Sequence, residues 1–322
     1  MSLKKLYPLK FTPIQQPKIW GGDLLHRFLN KEERDEPIGE SWEISNVDNN
    51  HSVISNGEAK GKTLHELILE EKDRILGDEV YATYGADFPI LIKFLDAKVQ
   101  LSIQVHPNDK WAKELENGRG KTEMWYIMHA EEDANLYLGW KKDLTKEEIE
   151  KVLLEGNVED YLQKFNPKKG DVFYVPATTV HSIGKGVVLA EIQQTSDITY
   201  RLFDFNRKEK GEPRDLHIEK GLKVMNPNFI PDLKKEYEPV DNQAVDVVDE
   251  EYFCMKFISL TDTIEVETHQ NFQIYIGISG TSKFDVDGEI TELQKGETLL
   301  IPAKMKDFSI QSESAELLCV TT

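Results

Sequence analysis

The sequence predicts a mainly β protein, two double-sheet jelly-roll units with a few inserted helices. Three observations predict it. Lys98 to His106 alternates without a break: Val99, Leu101, Ile103 and Val105 point one way, and Lys98, Gln100, Ser102, Gln104 and His106 the other. That is the period of a strand with one dry and one polar face. Next, Gly170-Asp-Val-Phe-Tyr-Val-Pro-Ala echoes Gly296-Glu-Thr-Leu-Leu-Ile-Pro-Ala, and the strands before them, around Trp125-Tyr126-Ile127 and Ile274-Tyr275-Ile276, also match. Finally, the chain from Phe253 to Thr322 is almost entirely short strands. The repeat sets the division into residues 1–235 and 236–322.

In chain order, the first 60 residues read as loops and short strands, including one around Trp42 and Ile44. Thr63 to Leu76 reads as a helix. Thr63 with Glu66 three residues on makes a capping box, Leu64, Leu67, Ile68 and Ile75 form an apolar stripe, and Gly77 is a stop. Phe88 to Leu95 is a short apolar run broken by Lys93 and reads as a buried strand. After the alternating stretch, Pro107-Asn108-Asp109 turns the chain, and Glu123 to Met128 is the next strand. Leu144 to Phe165, capped by Thr145, is expected to be helical, as is Arg214 to Met225. Gly170 to Val175 and Val187 to Ile192 are strands, and the acidic Lys235 to Glu251 stretch reads as a linker. In the second unit the strands are Phe253–Leu260, Phe272–Ile278, Thr281–Val286, Glu297–Ile301 and Leu317–Val320.

Composition excludes several classes. The formal net charge of −19 repels nucleic acid and anionic membranes, so a phosphorylated ligand needs a local basic cluster. No apolar run reaches spanning length, and the first residues lack the apolar core of a signal peptide. Cys254 and Cys319 lie outside any metal-type spacing and read as free thiols of a cytoplasmic protein. Monomer and homodimer both remain open.

The chemistry concentrates in the first unit. Of the eight histidines, His65 and His217 lie in expected helices, and His26, His51 and His269 in polar loops. His106 shares its strand face with Gln104, and His181 follows the Gly…Pro-Ala turn at the mouth of the expected barrel. Glu123 shares a face with Lys121 and Trp125; burying its charge costs several kcal/mol unless a cation compensates it. Together Gln104, His106, Glu123 and His181 offer two imidazoles, a carboxylate and an amide oxygen, a set suited to Zn²⁺ or another borderline divalent ion. The second copy has Asp307 at the position of His181, so one unit is chemically equipped and the other is scaffold. Glu191 and Gln193 share a further strand face. Asp197 and Arg201 form either a structural ion pair, or an anion clamp or catalytic electrostatic group facing the metal. Lys93, stranded in its apolar run, must pair or point into the site.

These residues resemble the type I mannose-6-phosphate isomerases of the cupin superfamily, and the short bacterial form in particular. The resemblance runs from Trp20-Gly21-Gly22 and Gly39-Glu40-Ser41-Trp42 through Gln104-Val-His106-Pro, Lys121-Thr-Glu123 and His181-Ser-Ile-Gly to Glu191-Ile-Gln-Gln-Thr-Ser-Asp197-Ile-Thr-Tyr-Arg201. It implies two cupin-like units, with the metal held by Gln104, His106, Glu123 and His181. It also implies an active-site arginine at Arg201 and polar pocket positions at Ser102, Lys93, Lys121, Glu191 and Asp197. The implied reaction interconverts mannose 6-phosphate and fructose 6-phosphate by moving a proton between C2 and C1 through an enediol. A carboxylate, Glu191 or Asp197, is expected as the base. Lys93 or Lys121 would aid proton transfer at oxygen, Arg201 would meet negative charge, and Ser102 would contact the phosphate. Two rival readings stand beside this one. His106, Glu123 and His181 also make the two-His-one-carboxylate set of an Fe(II)-dependent cupin oxygenase, and a sugar-binding cupin without enzymatic activity is the other.

Overall fold

The computed structural model describes residues 2–268 and 270–322, so His269, expected in a polar loop, lies outside the described residues. The first unit closes two antiparallel sheets face to face. One has seven strands in the order Lys234–Lys235, Val172–Val175, Glu123–Ala130, Val187–Gln194, Ile90–Ala97, Ile38–Ile44 and Ile14–Gly22. The other has five, in the order Leu162–Phe165, Leu136–Trp140, His181–Ile183, Ile103–Val105 and Tyr200–Phe203. The second unit is one curled sheet organised on the long strand Gln273–Val286, which pairs with four others. The protein is therefore mainly β with jelly-roll units, as its sequence predicts.

The period of two decides where the chemistry falls. Along Ile90–Ala97 every residue is buried. Ile90, Ile92 and Phe94 join a core shared with the C-terminal strands, whereas Leu95 and Ala97 face the interior of the first barrel. Met124, Tyr126, Val188 and Ala190 make the same outer contact; Trp125, Ile127 and Leu189 face inward. Two ring pairs seal the units together, Phe88 with Phe272 at 4.8 Å and Tyr126 stacked on Phe257 at 6.2 Å. Each such buried aromatic contributes about 1.5–3 kcal/mol through the area it removes from water. Lys31 adds a polar tie: its buried Nζ donates to Glu43 Oε2 at 2.7 Å and to the Gly296 carbonyl at 2.5 Å. The outer face is covered by the C-terminal unit and keeps only satisfied polar groups such as Glu43 and Asp96, while Lys93, Glu123 and Glu191 point into the barrel.

Several expectations are corrected. The alternating stretch is a strand only over Ile103–Val105. Lys98 to Leu101 carries the chain from one sheet to the other, and its amides bond singly, Val99 to the Trp20 carbonyl and Leu101 to that of Ile183; Val99 is thus exposed rather than dry. Thr63 caps its helix through the expected box, but that helix is Leu64–Glu71, and Lys72 at φ 54° separates it from the short turn Asp73–Leu76. The Leu144–Phe165 helix spans only Lys146–Glu155, because Gly156 adopts the left-handed conformation. Leu162–Phe165 is instead an edge strand paired with Leu136–Trp140. The Arg214–Met225 helix shrinks to Ile218–Val224. The expected linker contains the strand Ala244–Asp249, held by Val248 against Met255. Phe272–Ile278 and Thr281–Val286 are one strand that bends at Gly280.

Candidate metal centre and active site

The five-stranded sheet brings Gln104 between two functional side chains, since it pairs with His181 on one side and Arg201 on the other. The seven-stranded sheet supplies the opposite wall. Gln193 stands opposite Glu123, Glu191 opposite Trp125, and Lys93 opposite Glu191. The sheets meet at His106, Glu123 and His181, all buried, whose ligand-type atoms lie within 4.8 Å of one another.

His106 Nδ1 lies 2.9 Å from the Ile198 carbonyl, and His181 Nδ1 2.9 Å from that of Thr179. A carbonyl can only accept, so each Nδ1 carries the proton and each Nε2 presents a lone pair. Both Nε2 atoms approach the Glu123 carboxylate, His106 at 3.5 Å from Oε2 and His181 at 3.5 Å from Oε1. Burial, aided by the Lys121 charge, holds His106 well below the usual histidine range. Burial likewise pushes His181 down to about 4. Both rings are therefore neutral at pH 7, the form that ligates a metal. Lone pairs aimed at a carboxylate repel unless something positive lies between, so the donor set fits a divalent cation. Gln104 is within reach: its Nε2 is 3.3 Å from His181 Nε2, its Oε1 accepts from Ser102 Oγ at 3.2 Å, and a half-turn of the amide exchanges the two.

Lys121 ties this centre to the rest of the pocket. Its Nζ donates to Glu123 Oε2 at 2.6 Å, lies 3.1 Å from His106 Nε2 and is 3.8 Å from Glu191 Oε1. Burial works against its charge, but Glu123 and Glu191 hold its pKa above the usual lysine value. Glu191 is also 3.3 Å from Lys93 Nζ, and burial raises its carboxyl above the ordinary range despite both lysines. Lys93 further faces Glu40 at 3.8 Å and the Trp42 ring at 4.8 Å. Glu40 accepts from Trp42 Nε1 at 2.7 Å; although burial opposes it, Lys93 and Lys18 hold its carboxyl below the usual value.

These groups open onto a cavity of about 400 Å³, whose lining also includes Ser102, Asp197, Arg201 and Arg214. Asp197 is exposed at its rim, and no ion pair joins it to Arg201 among the described residues. Arg201 instead donates through one guanidinium nitrogen to the Asp215 carbonyl at 2.8 Å, while its buried Nε has no partner. Arg214 is anchored by Asp204 at 3.3 Å. Residue-level reading missed Glu40, Trp42, Lys18 and Arg214. The signal for Glu40 was available: a lysine in the apolar run Phe88–Leu95 needs an acid, and Glu40 and Trp42 alternate on the adjacent strand. His217, expected within a helix, instead precedes the helix Ile218–Val224, is half-buried, and its Nδ1 accepts from the Arg201 amide at 3.1 Å.

Two facing sheets around a buried His–Glu–His group define a cupin, a jelly-roll protein with a metal-type centre at the barrel mouth. A family model for the phosphomannose isomerase type I catalytic domain matches residues 9–119, and one for the mannose-6-phosphate isomerase cupin domain matches residues 244–322. A mannose-6-phosphate isomerase of Bacillus subtilis is 36% identical over 94% of this chain and 96% of its own. One from Streptococcus mutans is 33% identical over 95% and 96%. The crystal structure of the mannose 6-phosphate isomerase from Bacillus subtilis matches with a TM-score of 0.89 at 33% identity, over 97% of this chain and 99% of that one. The chain belongs to the type I phosphomannose isomerase family.

Proposed function

We propose that this protein interconverts mannose 6-phosphate and fructose 6-phosphate as a metal-dependent aldose–ketose isomerase. The observation that carries the reading is the buried row Lys93–Glu191–Lys121 beside the His–Glu–His centre, in a chain of this family. Gln104, His106, Glu123 and His181 would hold the metal, Zn²⁺ by the preference of two imidazoles with a carboxylate and an amide oxygen. When bound, the cation supplies Lewis-acid polarisation of the sugar carbonyl.

The side chains do the rest. Glu191 is the base that carries the proton between C2 and C1. It is buried between two ammonium groups, and its raised pKa brings it closer to the operating pH, where a base works best. Asp197, exposed at the rim, has the weaker claim. Lys121 and Lys93, each beside Glu191, stabilise the developing enediolate and hand protons to its oxygens. Arg201, with its unpartnered Nε, meets substrate negative charge, and Ser102 offers a hydroxyl to the phosphate. Trp20 and Trp42 in the lining restrict water around the reacting carbons.

Family membership decides against the oxygenase and the non-enzymatic readings. Both Cys254 and Cys319 are free thiols, which supports a reducing, cytoplasmic location; no described helix is long and apolar enough to cross a membrane. A coupled assay for fructose 6-phosphate on metal-loaded protein tests the proposal. Formation of fructose 6-phosphate is expected, and a metal-replete protein that forms none would refute it.

A further inference from the structure

The C-terminal barrel keeps the frame of the candidate site and changes its chemistry. In the first unit a row of paired residues crosses the seven-stranded sheet: Trp42 opposite Lys93, Lys93 opposite Glu191, Glu191 opposite Trp125. In the second unit the matching row is Asp246 opposite Lys256, Lys256 opposite Cys319, and Cys319 opposite Tyr275. The next strand confirms the register, because Ile301 pairs with Gln273 where Val175 pairs with Glu123. Lys256 therefore stands in the place of Lys93, Cys319 in that of Glu191, Gln273 in that of Glu123 and Tyr275 in that of Trp125, one residue away from the sequence match of Tyr275 with Tyr126. The local hydrogen bond persists as well: Tyr275 Oη donates to Gln273 Oε1 at 2.8 Å, as Trp125 Nε1 does to Glu123 Oε1 at 3.1 Å.

This second row lines an open cavity of about 620 Å³, larger than the one in the first unit. Its substitutions exclude the chemistry of the first. At the position of His181 stands Asp307, which accepts from the Thr268 amide at 3.0 Å, and among the described residues the only metal-type cluster is the one in the first unit. Asp246, Asp249, Glu265 and Glu267 outnumber Lys256 in the lining, so a phosphate is repelled. What remains is an amphipathic surface. Ile258, Ile264 and Val266 form an apolar wall. Lys256 lies 3.1 Å from Asp246 and keeps hydrogens to donate, and the Asp249, Glu265 and Glu267 carboxylates of the lining are acceptors. A hydroxyl both donates to such an acceptor and accepts from such an ammonium, and a carbon ring or chain bearing hydroxyls covers the apolar wall with its C–H face.

We infer that the C-terminal barrel binds a neutral polyhydroxylated small molecule, a monosaccharide or sugar alcohol without a phosphate. The inference stands on the register and the cavity alone and does not depend on the isomerase reading.

A site-specific readout is available because Cys254 and Cys319 are the only cysteines of the chain and both line this cavity. Maleimide modification of Cys254, followed by mass spectrometry on the metal-loaded full-length protein, reads occupancy directly. Mannose and mannitol are expected to slow it several-fold, equally in wild type and in Arg201→Ala, whereas inorganic phosphate has no effect. Ala244→Trp, which plugs the exposed rim, and Lys256→Met are expected to abolish the protection while leaving isomerase activity unchanged. No protection by either sugar up to about 100 mM, protection by phosphate, or protection lost in Arg201→Ala but kept in Ala244→Trp would each overturn the inference.

Discussion

Lys93 and Glu191 stand directly opposite one another on neighbouring strands, with Nζ 3.3 Å from Oε1, both buried. A buried pair of this kind is a poor investment for stability alone, because desolvating both charges offsets most of their attraction. Its position beside Lys121 and Glu123 gives it a chemical reason to exist.

Replacing Glu191 with Gln preserves shape and removes the proposed base. Turnover should fall by roughly 10²–10⁴-fold, with metal content and melting temperature close to wild type. Steady-state kinetics together with elemental analysis checks this, and near-normal turnover would transfer the proton to Asp197.

Arg201→Ala should lower turnover by well over about tenfold while metal content and folding stay intact. If the guanidinium also grips the phosphate, KM rises in the same variant. Unchanged kinetics would remove Arg201 from the site.

Chelation should abolish activity, and adding Zn²⁺ back should restore it. Because ligands that bind only the folded chain stabilise it, metal at about 100 times its Kd should add about 2.7 kcal/mol to unfolding free energy. Glu123→Gln and His181→Ala should lose both the metal and this stabilisation. A chelated protein with full isomerase activity would contradict the assignment.

Asp96 supplies a pH signature away from the site. Burial raises its carboxyl to about 6, against the hydrogen bond it accepts from the Leu24 amide at 2.7 Å, with Asp23 adding to the rise and Lys98 opposing it. Gly22 leaves it room, since a Cβ there would lie 2.4 Å from Oδ2. A carboxyl whose pKa is higher folded than unfolded binds its proton more tightly in the folded chain. Its contribution is therefore complete below the unfolded value of 3.8 and is lost as pH rises through about 6. Asp96→Asn, which keeps an acceptor for Leu24, should exceed wild type at pH 8 by up to about 3 kcal/mol, and the advantage should shrink to near zero below about pH 4. Denaturant melts at the two pH values measure this; an Asn variant less stable at pH 8 would refute it.

The sequence by itself determined the strand-rich class, the repeat and the residue types of the centre, because period-two alternation and the Gly…Pro-Ala echo are local patterns. Gln104 with His106 was legible for the same reason: two residues apart on one strand face is a local fact, true even though the strand is only Ile103–Val105. Tertiary structure alone decided the rest. The helix expected through Phe165 gave way to a strand because Leu162–Phe165 found an edge to pair with, and a partner's edge is invisible in the segment itself. The convergence of His106, Glu123 and His181 depends on two sheets closing face to face, and the proposal of Glu191 over Asp197 as the base rests on burial, which no local pattern shows. Glu40 became part of the site only when its strand lay beside that of Lys93. Charge pairing across strands is set by register, and register is fixed by which face the whole fold keeps dry.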